Sequence, residues 1–129
     1  MLTQGIINPQ LASLICRVRH TNMLVISDYA FPYWPQIETV DLSLVIGVPT
    51  ILQALDAILP RFKVGTVYMA QEFKMHNTVE VQNQFQAAFR GAPTTFEPHV
   101  EFKKRVPNAI GLVRTGDQTI YSNLILVSA

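Results

Sequence analysis

At 129 residues the chain has the length of one ordinary domain, and 49% hydrophobic against 15% charged residues excludes a disordered chain. A formal net charge of +1, with no basic run longer than Lys103–Arg105, excludes a chain steered electrostatically to nucleic acid or to an anionic membrane. The one cysteine, Cys16, excludes an intrachain disulfide and makes an intracellular, cytoplasmic setting the expectation.

The opening MLTQGIINPQ has no basic start leading into an apolar core, so no signal peptide is expected, and no apolar run approaches the ~20 residues of a membrane span. Proline and glycine are scattered, and no repeat, linker or low-complexity segment interrupts residues 1–129, which read as one domain. So much apolar sequence with so little charge points to an oligomer that buries part of its surface.

In chain order, Asn8 can cap a first helix with Pro9 at its first position, and Leu11, Leu14, Ile15 and Val18 follow the spacing of one buried helix face. Cys16 is expected inside this helix, on its apolar side, as a core residue. MLVIS at 23–27 is a continuous apolar run, the pattern of a strand covered on both faces. A loop with Pro32 and Pro35 follows, and IETVDLSLVIG is ambiguous between strand and helix. VPTILQALDAIL predicts a helix, VGTVYMA at 64–70 a strand, and TVEVQNQFQAAF a helix ending at Arg90-Gly91. TTFEPH predicts a short strand and loop, VEFKKRV a short helix, and AIGLVRTG and YSNLILVS two further strands. Alternating helices and apolar strands predict an α/β fold, three layers (α/β/α) around a mostly parallel sheet.

Ligands of such sheets bind at the carboxyl ends of strands. Asp28 stands at that end of the first strand, but SDYAFP carries no G-x-G-x-x-G for a dinucleotide. His20, His76 and His99 have no metal-ligand spacing, so no metal is expected. No G-x-S-x-G elbow supports nucleophilic catalysis.

Acid–base chemistry is better served. His20 and Asp28 flank the 23–27 strand in RHTNMLVISDYAFP. From pattern alone His20 reads first as a surface histidine at a helix end, and Asp28 as the residue that starts a turn. A five-residue strand is ~17 Å long, so the two need not meet within one chain. His99 precedes a short helix and also reads as a capping or loop residue. Tyr121 and Asn123, two apart on an expected strand, would point to one face and with Asp28 form a hydroxyl-binding set. They could equally be an edge aromatic and a turn residue. Phe31, Tyr33 and Trp34 could stack on a sugar or fill a subunit interface, with the interface favoured. Lys104 and Arg105 read as a solvated helix face.

INPQLASLICRVRHTNMLVISDYAFP, VDLSLVIGVPTILQAL, QEFKMHN, HVEFKK and GLVRTGDQTIYSNLIL together resemble the D-ribose pyranase and L-fucose mutarotase (RbsD/FucU) family over nearly the full length. The ordered set H-T-(N/D), (S/C/A)-D, D-(L/M)-x-L, G-V-P, H-x-x-F-K and R-(S/T)-G-(E/D)-x-x-x-Y-x-N is specific in so short a chain. The resemblance implies that His20 is the proton donor and that Asp28, His99, Tyr121, Ser122 and Asn123 bind the sugar, with Lys103 beside them. It also implies an RbsD-like fold, an isomerase that needs neither cofactor nor metal, and a ring, commonly a decamer, whose sites are completed across subunit boundaries. Arg19 stands where ribose enzymes usually have glycine. Phe31-Pro32 is similar to the fucose branch, whereas His99 and Arg114 are similar to the ribose branch. A mutarotase or pyranase acting on a monosaccharide is thus the leading expectation. A non-catalytic protein binding a sugar or sugar phosphate is the alternative, and a purely structural ring the third.

Overall fold

The computed structural model describes residues 1–129. Its centre is a six-stranded sheet in the order β2-β5-β1-β6-β3-β4, formed by β1 (Met23–Ser27), β2 (Glu38–Asp41), β3 (Val64–Ala70), β4 (Thr94–Glu97), β5 (Gly111–Arg114) and β6 (Leu124–Ser128). The β1–β5, β2–β5 and β3–β4 pairs are parallel, and β6 runs antiparallel to both its neighbours, β1 and β3. The mostly parallel sheet of the sequence reading is therefore present, with one reversed strand in its middle.

Side chains alternate across the pleat. Leu24 and Ile26 of β1 and Leu124 and Leu126 of β6 point to one face, where α1 (Pro9–Arg17), α2 (Ile51–Ile58) and α4 (Val79–Ala88) supply Leu14, Leu55, Ile58 and Phe85. Val25, Leu112 and Ile125 point to the other face, under Phe102 of α5 (His99–Arg105) and Val106 beyond it. Two buried layers on one sheet explain why its strands read as unbroken apolar runs.

The helix ends follow the expected chemistry. The Asn8 side chain accepts from Leu11 N–H with Pro9 at the first helical position, and Thr50 and Gln53 form a reciprocal capping box on α2. The ambiguous IETVDLSLVIG resolves into β2 followed by an exposed apolar loop. A further short helix, α3 (Glu72–His76), precedes α4 and was not read from the sequence.

Three expectations are corrected. Cys16 is exposed, because residues advance about 100° each around a helix and Leu11 and Leu14 already define the buried side. Arg105 is not a free solvated residue: its guanidinium donates to both carboxylate oxygens of Glu97 at 2.6 and 3.0 Å and lies 3.9 Å over the Tyr68 ring, tying α5 to the sheet. The strand expected over YSNLILVS begins only at Leu124, and residues 120–123 form a turn and its exit.

Candidate functional site

Parallel β5 and antiparallel β6 lie on opposite sides of β1, so the chain leaving β5 must cross the carboxyl end of β1 before it returns. Residues 115–123 form this arch, and it is fastened to residues 27–29 almost atom by atom. Thr115 donates to the Ser27 carbonyl from both N–H (3.0 Å) and Oγ1 (2.7 Å). The Asp117 carbonyl accepts from Tyr29 N–H at 3.1 Å, and Asn123 Oδ1 accepts from Asp28 N–H at 2.8 Å. Buried Asp117 also accepts from Ile51 N–H at 2.8 Å and Thr119 N–H at 2.7 Å, so one carboxylate holds the arch to the start of α2.

Asp28 serves two ends. Its Oδ1 accepts from the N–H groups of Ala30 (3.0 Å) and Phe31 (2.7 Å), the turn its position suggested, while Oδ2 faces Asn123 Nδ2 at 3.4 Å. Burial pushes its carboxyl above the ordinary 3.8, against the opposing hydrogen bonds from Phe31, Ala30 and Asn123, and with help from the Asp117 charge.

His99 begins α5, and its backbone N–H is received by the Glu72 carboxylate at 2.9 and 3.1 Å. Its ring stacks on Phe102 (centroids 6.0 Å apart) and meets Tyr121 edge-on at 5.1 Å. Its Nδ1 is buried with no partner. Burial and then the Lys103 ammonium hold the imidazole below its ordinary 6.5, outweighing the opposite pull of Glu72 and Asp28. Tyr121 is stacked by His76 on its other side at 5.3 Å. Its φ of 55° lies in the left-handed region, a conformation that costs ~1–3 kcal/mol for a non-glycine residue and concentrates at functional sites.

Asp28, Phe31, His99, Gln118, Tyr121 and Asn123 line one cavity of about 300 Å³. It presents carboxylate oxygen, imidazole, phenol and amide, a set of donors and acceptors suited to a small polyhydroxylated molecule. A larger cavity of about 470 Å³ lies behind the 29–32 segment, lined in part by Phe31 and Tyr33 but by none of Asp28, His99, Tyr121 and Asn123.

The sequence candidates therefore divide. Asp28, His99, Tyr121 and Asn123 converge, although Tyr121 and Asn123 do so from the arch and not from one strand face. Ser122 is fully buried with its hydroxyl donated to the Thr119 carbonyl at 2.7 Å, so its side chain stabilises the arch. Lys103 sits one turn along α5 from His99 and acts on it through charge, outside the cavity lining. His20 is exposed in the turn before β1, at the opposite end of that strand from Asp28, and does not reach the cavity within one chain. Thr21 beside it is left-handed (φ 68°) and pinned by its N–H to the Ser128 carbonyl. Phe31 and Trp34 pack beneath α5, leaving only Tyr33 of the aromatic loop strongly exposed.

Sequence reasoning missed Asp117, Glu72 and the role of Arg114. Arg114 Nε and NH2 donate to the Tyr29 carbonyl (3.1 and 2.8 Å), and NH1 donates to Asp41 Oδ2 and Ser43 Oγ, both at 2.9 Å. The R-T-G-D run was the one available signal for Arg114 and Asp117.

The sequence model of the RbsD / FucU transport protein family matches residues 1–129. The chain is 38% identical to a D-ribose pyranase of Chromobacterium violaceum, over 99% of this chain and 97% of that protein. It is 35% identical to a D-ribose pyranase of Geobacillus kaustophilus, over 99% and 93%. The Bacillus subtilis RbsD structure complexed with D-ribose superposes with a TM-score of 0.92 at 30% identity, covering 100% of this chain and 98% of that one. A Streptococcus pneumoniae fucose mutarotase in complex with L-fucose shares the fold, with a TM-score of 0.81 at 19% identity over 95% and 93%.

Proposed function

The chain belongs to the RbsD / FucU family, and from that premise we propose that it is an isomerase that interconverts the ring forms of a reducing monosaccharide. The observation that carries the proposal is the convergence of Asp28, His99, Tyr121 and Asn123 on one cavity, in a fold that superposes on a ribose-bound relative.

Ring interconversion requires that the anomeric hydroxyl lose a proton while the ring oxygen gains one as the C1–O bond breaks. The open aldehyde then turns, or another hydroxyl attacks it, and the proton transfers reverse. A placed acid or base contributes ~10²- to 10⁴-fold to such steps. Neutral His99 both donates and accepts, so it can orient a hydroxyl without adding charge. Asp28 Oδ2 accepts a sugar hydroxyl, and Asn123 fixes that carboxylate through backbone and side chain together.

His20 is assigned as the proton donor, as the family resemblance implies. Its distance from the cavity within one chain requires that a second copy deliver it. A ring of ten subunits with sites at subunit boundaries, which the family resemblance implies, accords with the exposed apolar run of Leu44, Val45 and Ile46. We assign the protein to the cytoplasm as part of the same proposal; no helix is long and apolar enough to cross a membrane.

Saturation-transfer NMR on D-ribose, L-fucose and other reducing sugars tests the reading. Exchange between ring forms is expected to accelerate with the wild type and to fall by ~10²-fold or more in His20→Ala. Equal exchange with and without protein for every sugar, or an undiminished His20→Ala, would overturn it. Calorimetric binding of a sugar without faster exchange would instead favour a binding protein on the same fold.

A further inference from the structure

The short helix α3 and the residue after it grip two of the cavity's wall residues, His99 and Tyr121, without lining the cavity themselves. The first residue of α3, Glu72, receives the backbone N–H of His99. Its last residue, His76, stacks on Tyr121 with ring centroids 5.3 Å apart and planes at 29°. Asn77 follows, and its Nδ2 donates to the Ile120 carbonyl and to the Phe73 carbonyl, both at 2.8 Å. The Asn77 carbonyl in turn accepts from Gln82 Nε2 of α4 at 3.0 Å. Phe73, 1% exposed and 5.0 Å from the Phe85 ring, anchors the helix in the core.

Tyr121 needs such a hold. Its φ of 55° persists in a non-glycine residue only where the surroundings over-determine it. None of the hydrogen bonds that fasten the arch to its surroundings is made by Tyr121 itself. The Ile120 carbonyl shares one rigid peptide plane with the Tyr121 nitrogen, so the bond from Asn77 fixes the plane from which that φ departs. The His76 face then fixes the side chain, and His99 meets the same ring edge-on at 5.1 Å. His76 is itself exposed, so its imidazole fills no space in the core.

We propose that α3 is a bracket for the cavity and that His76 and Asn77 are positioning residues, which hold Tyr121 in the orientation that lines the cavity beside His99. Neither residue lines the cavity, so both act through Tyr121. The inference rests on the function proposed above for its activity readout, whereas D-ribose affinity reads the same effect without it.

His76→Ala is expected to lower kcat/KM for D-ribose ring exchange about tenfold or more, and to weaken D-ribose binding by calorimetry about threefold or more. Its Tm should stay within about 3 °C of wild type, because the residue is exposed. His76→Phe, which keeps an aromatic face, should return kcat/KM to within about threefold of wild type, and His76→Gln, which keeps polarity alone, should not. That pair of variants also serves if His76→Ala folds poorly. Asn77→Ala should change both readouts in the same direction as His76→Ala. In a Tyr121→Ala background, His76→Ala should cost less than about twofold more, since the group it holds is already gone. Losses that multiply in the double variant, or a His76→Phe as impaired as His76→Gln, overturn the proposal, because His76 would then act on the sugar directly. So does a His76→Ala protein with wild-type kcat/KM and affinity. If the wild type binds D-ribose but accelerates no sugar's exchange, weaker binding by His76→Ala upholds the bracket while the isomerase reading falls, and unchanged binding overturns both. A wild type that neither binds nor exchanges any sugar also overturns both.

Discussion

Replacing Asp117 by alanine removes the acceptor for two backbone N–H groups at once, Ile51 at 2.8 Å and Thr119 at 2.7 Å. The residue is 5% exposed, so water does not readily take over either role. Hydrogen bonds to a charged group contribute about 1.5–3 kcal/mol each, and a carboxylate at a helix N-terminus adds ~0.3–1 kcal/mol. With allowance for relaxation the loss is about 4 kcal/mol, roughly a quarter or more of the ~5–15 kcal/mol that typically holds a domain folded. For a chain of this length that corresponds to a fall in Tm on the order of 10–20 °C. Asp117→Asn keeps one acceptor but turns an amide N–H₂ toward a backbone N–H, and about half the loss is expected. Guanidinium unfolding followed by circular dichroism, with the native spectrum checked first, measures both. If Asp117→Ala lies within ~1 kcal/mol of wild type, the carboxylate does not hold the arch as described. Sugar affinity is expected to weaken in the same variant, because the Asp117 carbonyl and the turn after it position Tyr29 and Tyr121.

Lys103→Met removes the cation that holds the His99 imidazole down, so the His99 titration should move upward, as read from its Cε1 proton by NMR; a downward movement would refute the assignment. Because the folded pKa of His99 lies below its ordinary 6.5, the unfolded chain takes up a proton that the folded chain refuses. Stability from this source is complete above about 6.5 and declines as pH falls from there to the lowered folded value. His99→Gln should therefore lose less Tm than wild type between about pH 7 and pH 5.5, and an equal or larger loss would refute the shift. Asp28, shifted upward, acts in the opposite sense: the folded protein gains stability as pH falls from its raised pKa toward 3.8, a gain that Asp28→Asn should abolish. Arg114→Ala is expected to reduce stability by only ~1 kcal/mol, since the ion pair with Asp41 is substantially exposed, yet to raise KM severalfold by freeing Tyr29. Arg114→Lys, which restores a charge but not the two-bond grip on one carbonyl, should share most of the KM change; an unchanged KM in both would discount the clamp.

The parts of the molecule legible in the sequence are those fixed by neighbouring residues. VGTVYMA is β3 to the residue, and Asn8-Pro9 starts α1 where capping chemistry places it. Asp28 was readable as a turn-former and is one. What escaped depends on contacts remote in sequence. Asp117 meets Ile51 across 66 residues, and Asn123 meets Asp28 across 95, so no local pattern could show either. Alternation misplaced Tyr121 and Asn123 on a strand because it presumes extended backbone, which Tyr121 at φ 55° does not adopt. Cys16 looked internal because the residues around it are apolar, but helical phase decides burial, not neighbourhood. Pattern read His20 first as a surface residue at a helix end, and it is exposed in the turn before β1; the role of proton donor came from the family motif, and within one chain His20 lies outside the cavity.

The reversed strand has a consequence for how the molecule assembles in time. β6 is the sole strand that pairs with both halves of the sheet: β2, β5 and β1 on one side, β3 and β4 on the other. Until residues 124–128 insert, those halves share no backbone ladder, and the widely separated pairings that β6 completes are the slow kind in folding. The same insertion draws the arch over Asp28. Closure of the sheet and completion of the cavity thus depend on the same strand, and a ligand that holds the arch also stabilises the strand that joins the two halves. Amide exchange of Ile125 and Leu126, deep in the core, should slow when the cavity at the sheet's edge is filled.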